Sequence, residues 1–546
     1  MSLEDMNRDN SPAIEETGDL FSAFEQVNTV TTKKSPRKLP KRTRNLIITS
    51  ATAVLLAVIL LVLTLLPNED VGGSDTSEPM VDTTITLLDK SSNSAVTIKQ
   101  VSIKNANDDY SLHYDSDAKR MVIKGYEDIT VDEELSNTLI AYTTVITAFD
   151  KVENQGDLKE YGLDNAAATA TVTYTDDSSV TINVGNLAPS EDGYYARISG
   201  DDTVYIIESD YVSLFLVRAS AFADTTLLTT PTVKKDDANG VAVLKSIKYS
   251  GKNYPTPLSI RRSYYTDSAE ITLFSYVVDK PFLRGIKDAV STDIGNFKSL
   301  KASQALYLHP TADQKKKLGF NDPLTIMEIT MAVETPEDAE SSTSLDEEAE
   351  KNIYYNSYTV RLTVGSLDSS GNYIVMLDGI DAIYLVDKTS LSMLAERTYD
   401  NTVNELLFLK NISHLGKIAI TIDGKRHDFV LTHFPEKEDN DENLVVTIDG
   451  KRYPTSDFRE LYQQLMGLAR YGSTNGSYDK VATLKVDIYT TEGEHYLGAT
   501  YYPLSGTLCA VETSEGEVFT TRWKNVTHFV EQIENYLNGE KVLILT

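Results

Sequence analysis

A threefold internal repeat constrains the fold of this chain more than any other feature of its sequence. Two stretches of the chain share a glycine turn, then Asp or Asn, then strand-like runs. They are YGLDNAAATATVTYTDDSSVTINVG, and LGFNDPLTIMEITM with its continuation YTVRLTVG. A fainter third copy starts at ATLKVDIYTT. A glycine and a later aromatic residue are 20, 19 and 21 residues apart in the three copies; the pairs are Gly185 and Tyr205, Gly365 and Tyr384, Gly498 and Phe519. This near-constant spacing predicts three copies of one module.

Each copy has the pattern of an α+β module. A strand, a polar turn with Gly or Asn and a second strand predict a hairpin, as in LGKIAITIDGKRHDFVLTH. A helix, several antiparallel strands and a short helix follow. The predicted module boundaries are 81–227, 228–408 and 409–546, and the second module contains an acidic loop at 334–351.

Apolar spacing places a helix after the hairpins of each copy. In the first copy, Thr130 and Glu133 predict a capping box, and one apolar face follows with Leu135, Leu139, Tyr142, Ile146 and Phe149. In the third copy, Asp457 and Glu460 predict the start of a similar helix, with Phe458, Leu461, Leu465 and Leu468 on its face. The second copy has a weaker helical pattern at 291–300.

Residues 46–66 form an uncharged apolar run, LIITSATAVLLAVILLVLTLL. Its 21 residues are enough for a helix to cross about 30 Å of hydrocarbon. A cleaved signal peptide is the alternative, but its apolar region is shorter and ends in a small-residue cleavage site. We therefore expect one uncleaved transmembrane helix, with a disordered tail at 1–45 before it and a linker at 67–80 after it.

The charges that flank this run predict its orientation. Seven basic residues and no acid lie between Gln26 and Asn45, whereas acids follow the run. Basic flanks stay in the cytoplasm, so we expect a single-pass cell-membrane protein with a cytoplasmic N-terminus and an ectodomain outside. From residue 67 onward the chain has 43 Lys+Arg against 74 Asp+Glu. An ectodomain this acidic is not expected to bind nucleic acid through phosphates.

No residue pattern predicts catalysis, cofactor binding or a metal site. Cys509 is the sole cysteine, so no intramolecular disulfide forms, and the Gly-Lys pairs lack the rest of a phosphate-binding loop. The stretch 472–476 lacks the spacing of a nucleophile elbow, and the acidic stretch 439–443 is not followed by the glycine and glutamate of a calcium loop. His427, Asp428 and His433 are interpreted as ordinary hairpin residues.

The repeated glycines have a structural interpretation. We expect them at turns or strand ends that require positive φ; they are Gly162, Gly319, Gly185, Gly365 and Gly498. Tyrosine is abundant, with 31 residues, and is interpreted mainly as a strand residue.

The pattern YGLD…VTINVG…YYARI…VYIIESD, repeated behind one N-terminal anchor, resembles the DUF4340 family of bacterial envelope proteins. The resemblance covers most of 81–538 and is best in the first two copies. The family has no assigned activity. Its genes often lie beside those of gliding-type ABC transporter components, so the resemblance implies a transporter context.

Three functions remain open on the sequence. The first is a non-enzymatic accessory or scaffold of a cell-envelope or ABC transporter complex, with integral-membrane transporter subunits as partners. The second is a transmembrane sensor whose tail docks a cytoplasmic regulator. The third is an exported hydrolase, which would need clustered Asp, Glu or His that break the repeat pattern.

Overall fold

The structure is a computed structural model that describes residues 84–544, except 190, 265–266, 336–352, 438–441 and 475. Residues 85–546 form one compact unit. The predicted tail, transmembrane helix and linker lie outside the described residues, as does almost all of the predicted acidic loop. Within the described part of the chain, no helix is long and apolar enough to cross a membrane.

The described chain is α+β with antiparallel sheets, which confirms this part of the predicted fold class. Eight α-helices occur among the described residues. They are α1 (Glu133–Thr144), α2 (Ser209–Leu216), α3 (Asp288–Asn296), α4 (Ala312–Lys317), α5 (Lys388–Ala395), α6 (Tyr399–Thr402), α7 (Thr455–Met466) and α8 (Trp523–Asn538).

The first sheet has eight strands. They are β2 (Ile98–Asn105), β3 (Asp109–Asp115), β4 (Arg120–Ile123), β6 (Asp150–Lys151), β7 (Ala168–Tyr174), β8 (Ser179–Leu187), β9 (Gly193–Ile198) and β10 (Tyr205–Glu208). Their order is β4-β3-β2-β7-β8-β9-β10-β6. A separate two-stranded sheet joins β1 (Ile85–Asp89) to β5 (Val145–Ala148).

The second sheet has nine strands. They are β12 (Val241–Ser250), β13 (Leu258–Arg262), β14 (Tyr276–Lys280), β15 (Arg284–Gly285), β17 (Gln304–Leu308), β18 (Thr325–Glu334), β19 (Tyr354–Leu367), β20 (Tyr373–Leu377) and β21 (Ala382–Val386). Their order is β15-β14-β13-β12-β18-β19-β20-β21-β17. Beside it, β11 (Thr226–Leu228) pairs with β16 (Leu300–Lys301).

The third sheet has eight strands. They are β22 (Leu415–Ile422), β23 (Lys425–His433), β24 (Leu444–Ile448), β25 (Lys451–Tyr453), β26 (Leu484–Thr490), β27 (His495–Pro503), β28 (Leu508–Thr513) and β29 (Val518–Arg522). Their order is β25-β24-β23-β22-β26-β27-β28-β29.

Seven strands follow the same order in all three sheets. The three series are β4-β3-β2-β7-β8-β9-β10, β14-β13-β12-β18-β19-β20-β21 and β24-β23-β22-β26-β27-β28-β29. At least one α-helix lies in the chain between the two halves of each series: α1 in the first, α3 and α4 in the second, and α7 in the third. A further helix (α2, α5 or α8) follows its last strand. Tyr205, Tyr384 and Phe519 lie on the last strands of the three series. The predicted module boundaries stay a prediction.

The predicted hairpins form, and their turns explain why. In the β22–β23 turn, Asp423 has φ 46° and Gly424 has φ 81°; in the β24–β25 turn, Asp449 has φ 50° and Gly450 has φ 76°. Two successive residues with positive φ make the tight turn that matches strand twist, and Asp-Gly is a favoured pair for it. Buried residues then alternate along the strands, as in β7, so that each sheet has one face in a core.

Each large sheet has its own apolar core, and the helices cover it. α1 and α2 contact the first sheet, α3 contacts β12, and α7 and α8 contact each other and the third sheet. The three clusters include Val101, Ile247 and Ile420 respectively. Ile129 belongs to the core of the second sheet although it precedes α1, so the first and second cores are adjacent.

The helix boundaries differ from prediction. Asp132, not Thr130, caps α1, because its carboxylate accepts a hydrogen bond from the Leu135 N–H at 3.0 Å. The Thr130 carbonyl oxygen instead accepts a hydrogen bond from the Asp224 backbone N–H at 2.8 Å. α1 ends at 144, and the predicted face residue Ile146 lies on β5. The run 143–147 is wholly β-branched, which favours a strand over another helical turn.

The other two predicted helices are also shifted. α3 spans 288–296 rather than 291–300, and Leu300 lies on β16. α7 starts at 455 instead of near Asp457, and Leu468 lies beyond its end although it is buried. Phe458, Leu461 and Leu465 are buried on α7, as predicted. Exact helix ends depend on capping contacts that apolar spacing does not encode.

The prediction of positive φ is correct for two of the repeated glycines and wrong for three. Gly162 and Gly319 have φ of 69° and 85°, whereas Gly185, Gly365 and Gly498 do not have positive φ. A Cβ at Gly185 would lie 2.1 Å from the Tyr161 carbonyl oxygen, and one at Gly365 would lie 2.2 Å from that of Leu318. These two positions therefore need glycine for close backbone approach. Gly498 lies inside β27 against the Asp487 side chain, not at a strand end.

Candidate functional site

A buried network of charged groups joins the second and third sheets. Glu517, just before β29, is 2% exposed. Its carboxylate accepts hydrogen bonds from Arg284 Nη2 at 2.9 Å, from the Tyr399 hydroxyl at 2.7 Å and from Arg470. Arg470 also donates to Asp400 at 3.0 Å. Two arginines thus converge on one carboxylate from different elements.

The electrostatics of this network favour a fixed junction. Burial lowers the pKa of Arg470, although Tyr399 and Asp400 act in the opposite direction. The charge remains because a guanidinium is protonated at any physiological pH. Removing Glu517 would leave Arg470 with Asp400 and Arg284 with Glu515, and this loss from a buried network costs more than an exposed pair contributes. The network therefore holds β15, α6 and β29 in one arrangement.

A cleft of about 460 Å³ lies beside this junction. One wall is the loop segment 269–273 of the second sheet; the other is 409–414 together with α7. Glu270 is 4% exposed, and Lys410 Nζ lies 3.1 Å from its Oε1. Burial disfavours the charged form of Glu270, but the Ser268 hydroxyl, the Glu270 backbone N–H and Lys410 together outweigh it, so its pKa lies below the usual value. The carboxylate is therefore ionised at neutral pH.

The junction between the first and second sheets is more exposed. His309 Nε2 lies 2.8 Å from Asp128 Oδ1, and its ring packs against Tyr126 with the centroids 4.9 Å apart. Lys301 lies 3.7 Å from Asp132. The His309 side chain is 39% exposed, so this polar contact is screened by water and contributes little.

The histidines considered for a metal site do not converge. His427 and His433 both lie on β23, six residues apart, and Asp428 lies on the opposite face because side chains alternate along a strand. His433 Nε2 is 2.7 Å from the Leu415 carbonyl oxygen, and Asp428 accepts from Arg426. Burial lowers the pKa of His427. Among the described residues, no three His, Cys, Asp or Glu side chains group as metal ligands.

The remaining candidates from the sequence have structural settings or lie outside the described residues. Gly472 forms a backbone bridge with Thr520, so its segment covers the edge of β29. Most of the stretch 439–443 is not described. Cys509 is a buried free thiol. No sequence pattern marks Glu270, Arg470 or Glu517, because the partners of each residue are far away in the chain.

One comparison with known proteins finds a match. A family model described as "Domain of unknown function (DUF4340)" matches residues 122–271, which confirms over that stretch the resemblance predicted from the sequence. The matched stretch runs from β4 through α1 and the strands β7–β10 to the β12–β13 hairpin. Searches of curated proteins and of solved structures each return no match.

Proposed function

We propose that this chain is a non-enzymatic, single-pass membrane protein whose acidic ectodomain of three repeated modules is an accessory or scaffold of a cell-envelope or ABC transporter complex. The buried network around Glu517 carries the proposal. A scaffold must present its surfaces in a fixed relation, and two arginines bonded to a carboxylate that is 2% exposed favour such a relation between the second and third sheets.

The shared order of seven strands supports the repeat within this proposal. When repeated modules keep the same core but differ in their surface loops, the loops can change their contacts with a partner without loss of the fold. Such an arrangement suits a binding role. The ectodomain carries 43 Lys+Arg against 74 Asp+Glu, so a partner should be neutral or basic at the facing surface. The predicted anchor at 46–66 would confine that partner to the membrane or its immediate exterior.

Crosslinking in native membranes tests the proposal. After mild crosslinking, the full-length chain should co-purify with integral-membrane transporter subunits, and raised salt before crosslinking should reduce their yield. Capture of only a soluble regulator by residues 1–45 would favour a transmembrane sensor. Turnover of an ester, peptide or glycoside that one Asp, Glu or Ser substitution abolishes would show an enzyme instead.

The sensor alternative has one specific observation in its favour. The cleft beside the junction is bounded by both the second and the third modules, so a ligand there would contact both. Occupancy could then change how the two modules meet, which is the kind of differential contact that a signalling protein requires.

A further inference from the structure

The two junctions between the large sheets join the same two elements of their strand series. In each series, a short outer segment leads from the strand at one end (β4, β14 or β24) to the next helix, and an end turn joins the two strands at the other end. The outer segments are 124–132, 281–287 and 449–454, and the end turns are 199–204, 378–381 and 514–517. At both junctions, the outer segment of one series lies near the end turn of the next.

The contacts at the two junctions are equivalent. At the first, the Asp128 carboxylate of the outer segment lies 2.8 Å from His309 Nε2, and the His309 backbone N–H donates to the Asp381 carbonyl oxygen of the end turn at 2.8 Å. At the second, Arg284 Nη2 of the outer segment donates to Glu517 of the end turn at 2.9 Å. One arrangement of outer segment and end turn is therefore used twice within the chain.

Two of these elements have no counterpart in the described chain. The outer segment 449–454 belongs to the last of the three series, and the end turn 199–204 belongs to the first. An interface that joins two different surfaces of similar units leaves one free surface at each end of the array. The chain therefore presents both halves of a junction that it forms twice internally.

The two free elements have opposite charges. The free outer segment contains two bases and one acid, whereas the free end turn contains two acids and no base. The outer segment and the end turn that meet at the second junction have the same polarity, with two bases on one side and two acids on the other. Opposite charges on facing surfaces favour association and fix its register.

The charged groups of both free elements are accessible. Lys451 and Arg452 lie on β25, which has the place beside β24 that β15 has beside β14. Both residues are exposed, and neither forms an ion pair with another described residue. Asp202 of the end turn pairs with Arg197 of its own hairpin, but the Asp202 side chain is 99% exposed. An exposed pair contributes little, so this carboxylate stays open to a second base.

We propose that copies of this chain associate head to tail, with outer segment 449–454 of one copy against end turn 199–204 of the next. Lys451 and Arg452 of one copy contact Asp202 of the other, in the way that the second junction pairs its own bases and acids. In the first series β1 already pairs with β5, as β11 pairs with β16, so the incoming copy has only its outer segment to supply. The proposal goes beyond the scaffold role, since both surfaces belong to this chain.

Sedimentation of the purified full-length chain in detergent tests the mode of association. A contact this small is expected to be weak, so concentrations from micromolar to millimolar are needed. Head-to-tail contact does not end at two copies, so species larger than a dimer should form as concentration rises, and raised salt should shift them toward the monomer. A chain that stays monomeric at millimolar concentration overturns the proposal, and so does one that stops at a dimer, which indicates a self-complementary interface.

Charge-reversed variants test the assigned surfaces. Lys451→Glu with Arg452→Glu should weaken association about tenfold or more, because two glutamates then face the acids of the end turn. Asp202→Lys should weaken it as well, because a lysine then faces two bases. The chain with all three substitutions should recover most of the association of the parent, because the new glutamates then face the new lysine.

Lys316→Glu with Lys317→Glu is the matched control. Both lysines are exposed on α4, outside the two free elements, and their reversal changes the net charge of the chain by the same amount as that of Lys451 and Arg452. The control should associate like the parent. Every substituted residue is exposed, so the circular dichroism of all variants should match that of the parent. Equal losses in the control and in the outer-segment variant, or no recovery with all three substitutions, overturn the assigned contact.

Discussion

Gly185 and Gly365 are required for close contact with a neighbouring carbonyl, not for backbone conformation. A Cβ at Gly365 would lie 2.2 Å from the Leu318 oxygen, which is backbone and cannot rotate away. We therefore expect Gly365→Ala to lower the free energy of unfolding by about 2 kcal/mol or more, as overpacked sites do. Gly295→Ala is the control, because a Cβ there meets nothing within 4 Å and the residue lies in α3. Urea denaturation should find the control neutral or more stable by about 0.5–1 kcal/mol.

Cys509 gives a second test at the residue scale. Burial raises the pKa of its thiol to about 12. The thiolate is the reactive form, so the folded chain should resist alkylation by iodoacetamide at pH 8. The same chain in denaturant should react fully within minutes, as measured by mass spectrometry. Rapid labelling of the folded chain would contradict the buried position of this side chain in β28.

The junction network operates between elements. Glu517→Ala would remove the carboxylate that Arg284 and Arg470 share and leave each with one partner, Glu515 and Asp400 respectively, so the cost should approach but not exceed the roughly 3–5 kcal/mol of a broken buried pair. Thermal denaturation should therefore show a large destabilisation, or a separate early transition of the third sheet. Lys99→Met removes one member of an exposed pair, with Asp177 3.0 Å away and side chains 60% and 81% exposed. That control should change stability by less than about 1 kcal/mol. If Glu517→Ala and Lys99→Met changed stability equally, the network would not stabilise the junction between the second and third sheets.

The sequence predicts elements whose signals are local. Asp423-Gly424 and Asp449-Gly450 encode their turns directly, and alternation then places the strands of the hairpins. The predicted end of α1 is wrong because the apolar spacing continues through Ile146. The β-branched run and the pairing with β1 instead make that stretch a strand. The prediction of positive φ at Gly185 and Gly365 is wrong for a similar reason. Close approach at Gly365 depends on Leu318, 47 residues earlier, which no local pattern reveals.

The candidate site depends on long-range contacts throughout, so no sequence motif marks it. Arg284 and Glu517 are 233 residues apart, and Glu270 meets Lys410 only because two sheets are adjacent. Neither pair has a fixed spacing or a companion residue type that would set it apart in a chain with 81 acids and 51 bases. The sequence could predict the kind of surface, acidic and without a recognisable catalytic motif, but not the place where charges become buried.

The whole molecule is asymmetric in charge, and this asymmetry makes its topology testable. Seven bases and no acid lie between residues 26 and 45, directly before the apolar run at 46–66, and acids follow the run. Because basic flanks stay inside, protease added to intact protoplasts should digest residues after 67 and leave the tail at 1–45 protected, as read by antibodies to each end. Replacing the seven bases between 33 and 44 with glutamine should weaken that bias and expose the tail in part of the population. Digestion of the tail in the parent chain, or extraction without detergent, would overturn the predicted anchor and with it the confinement of any partner to the membrane exterior.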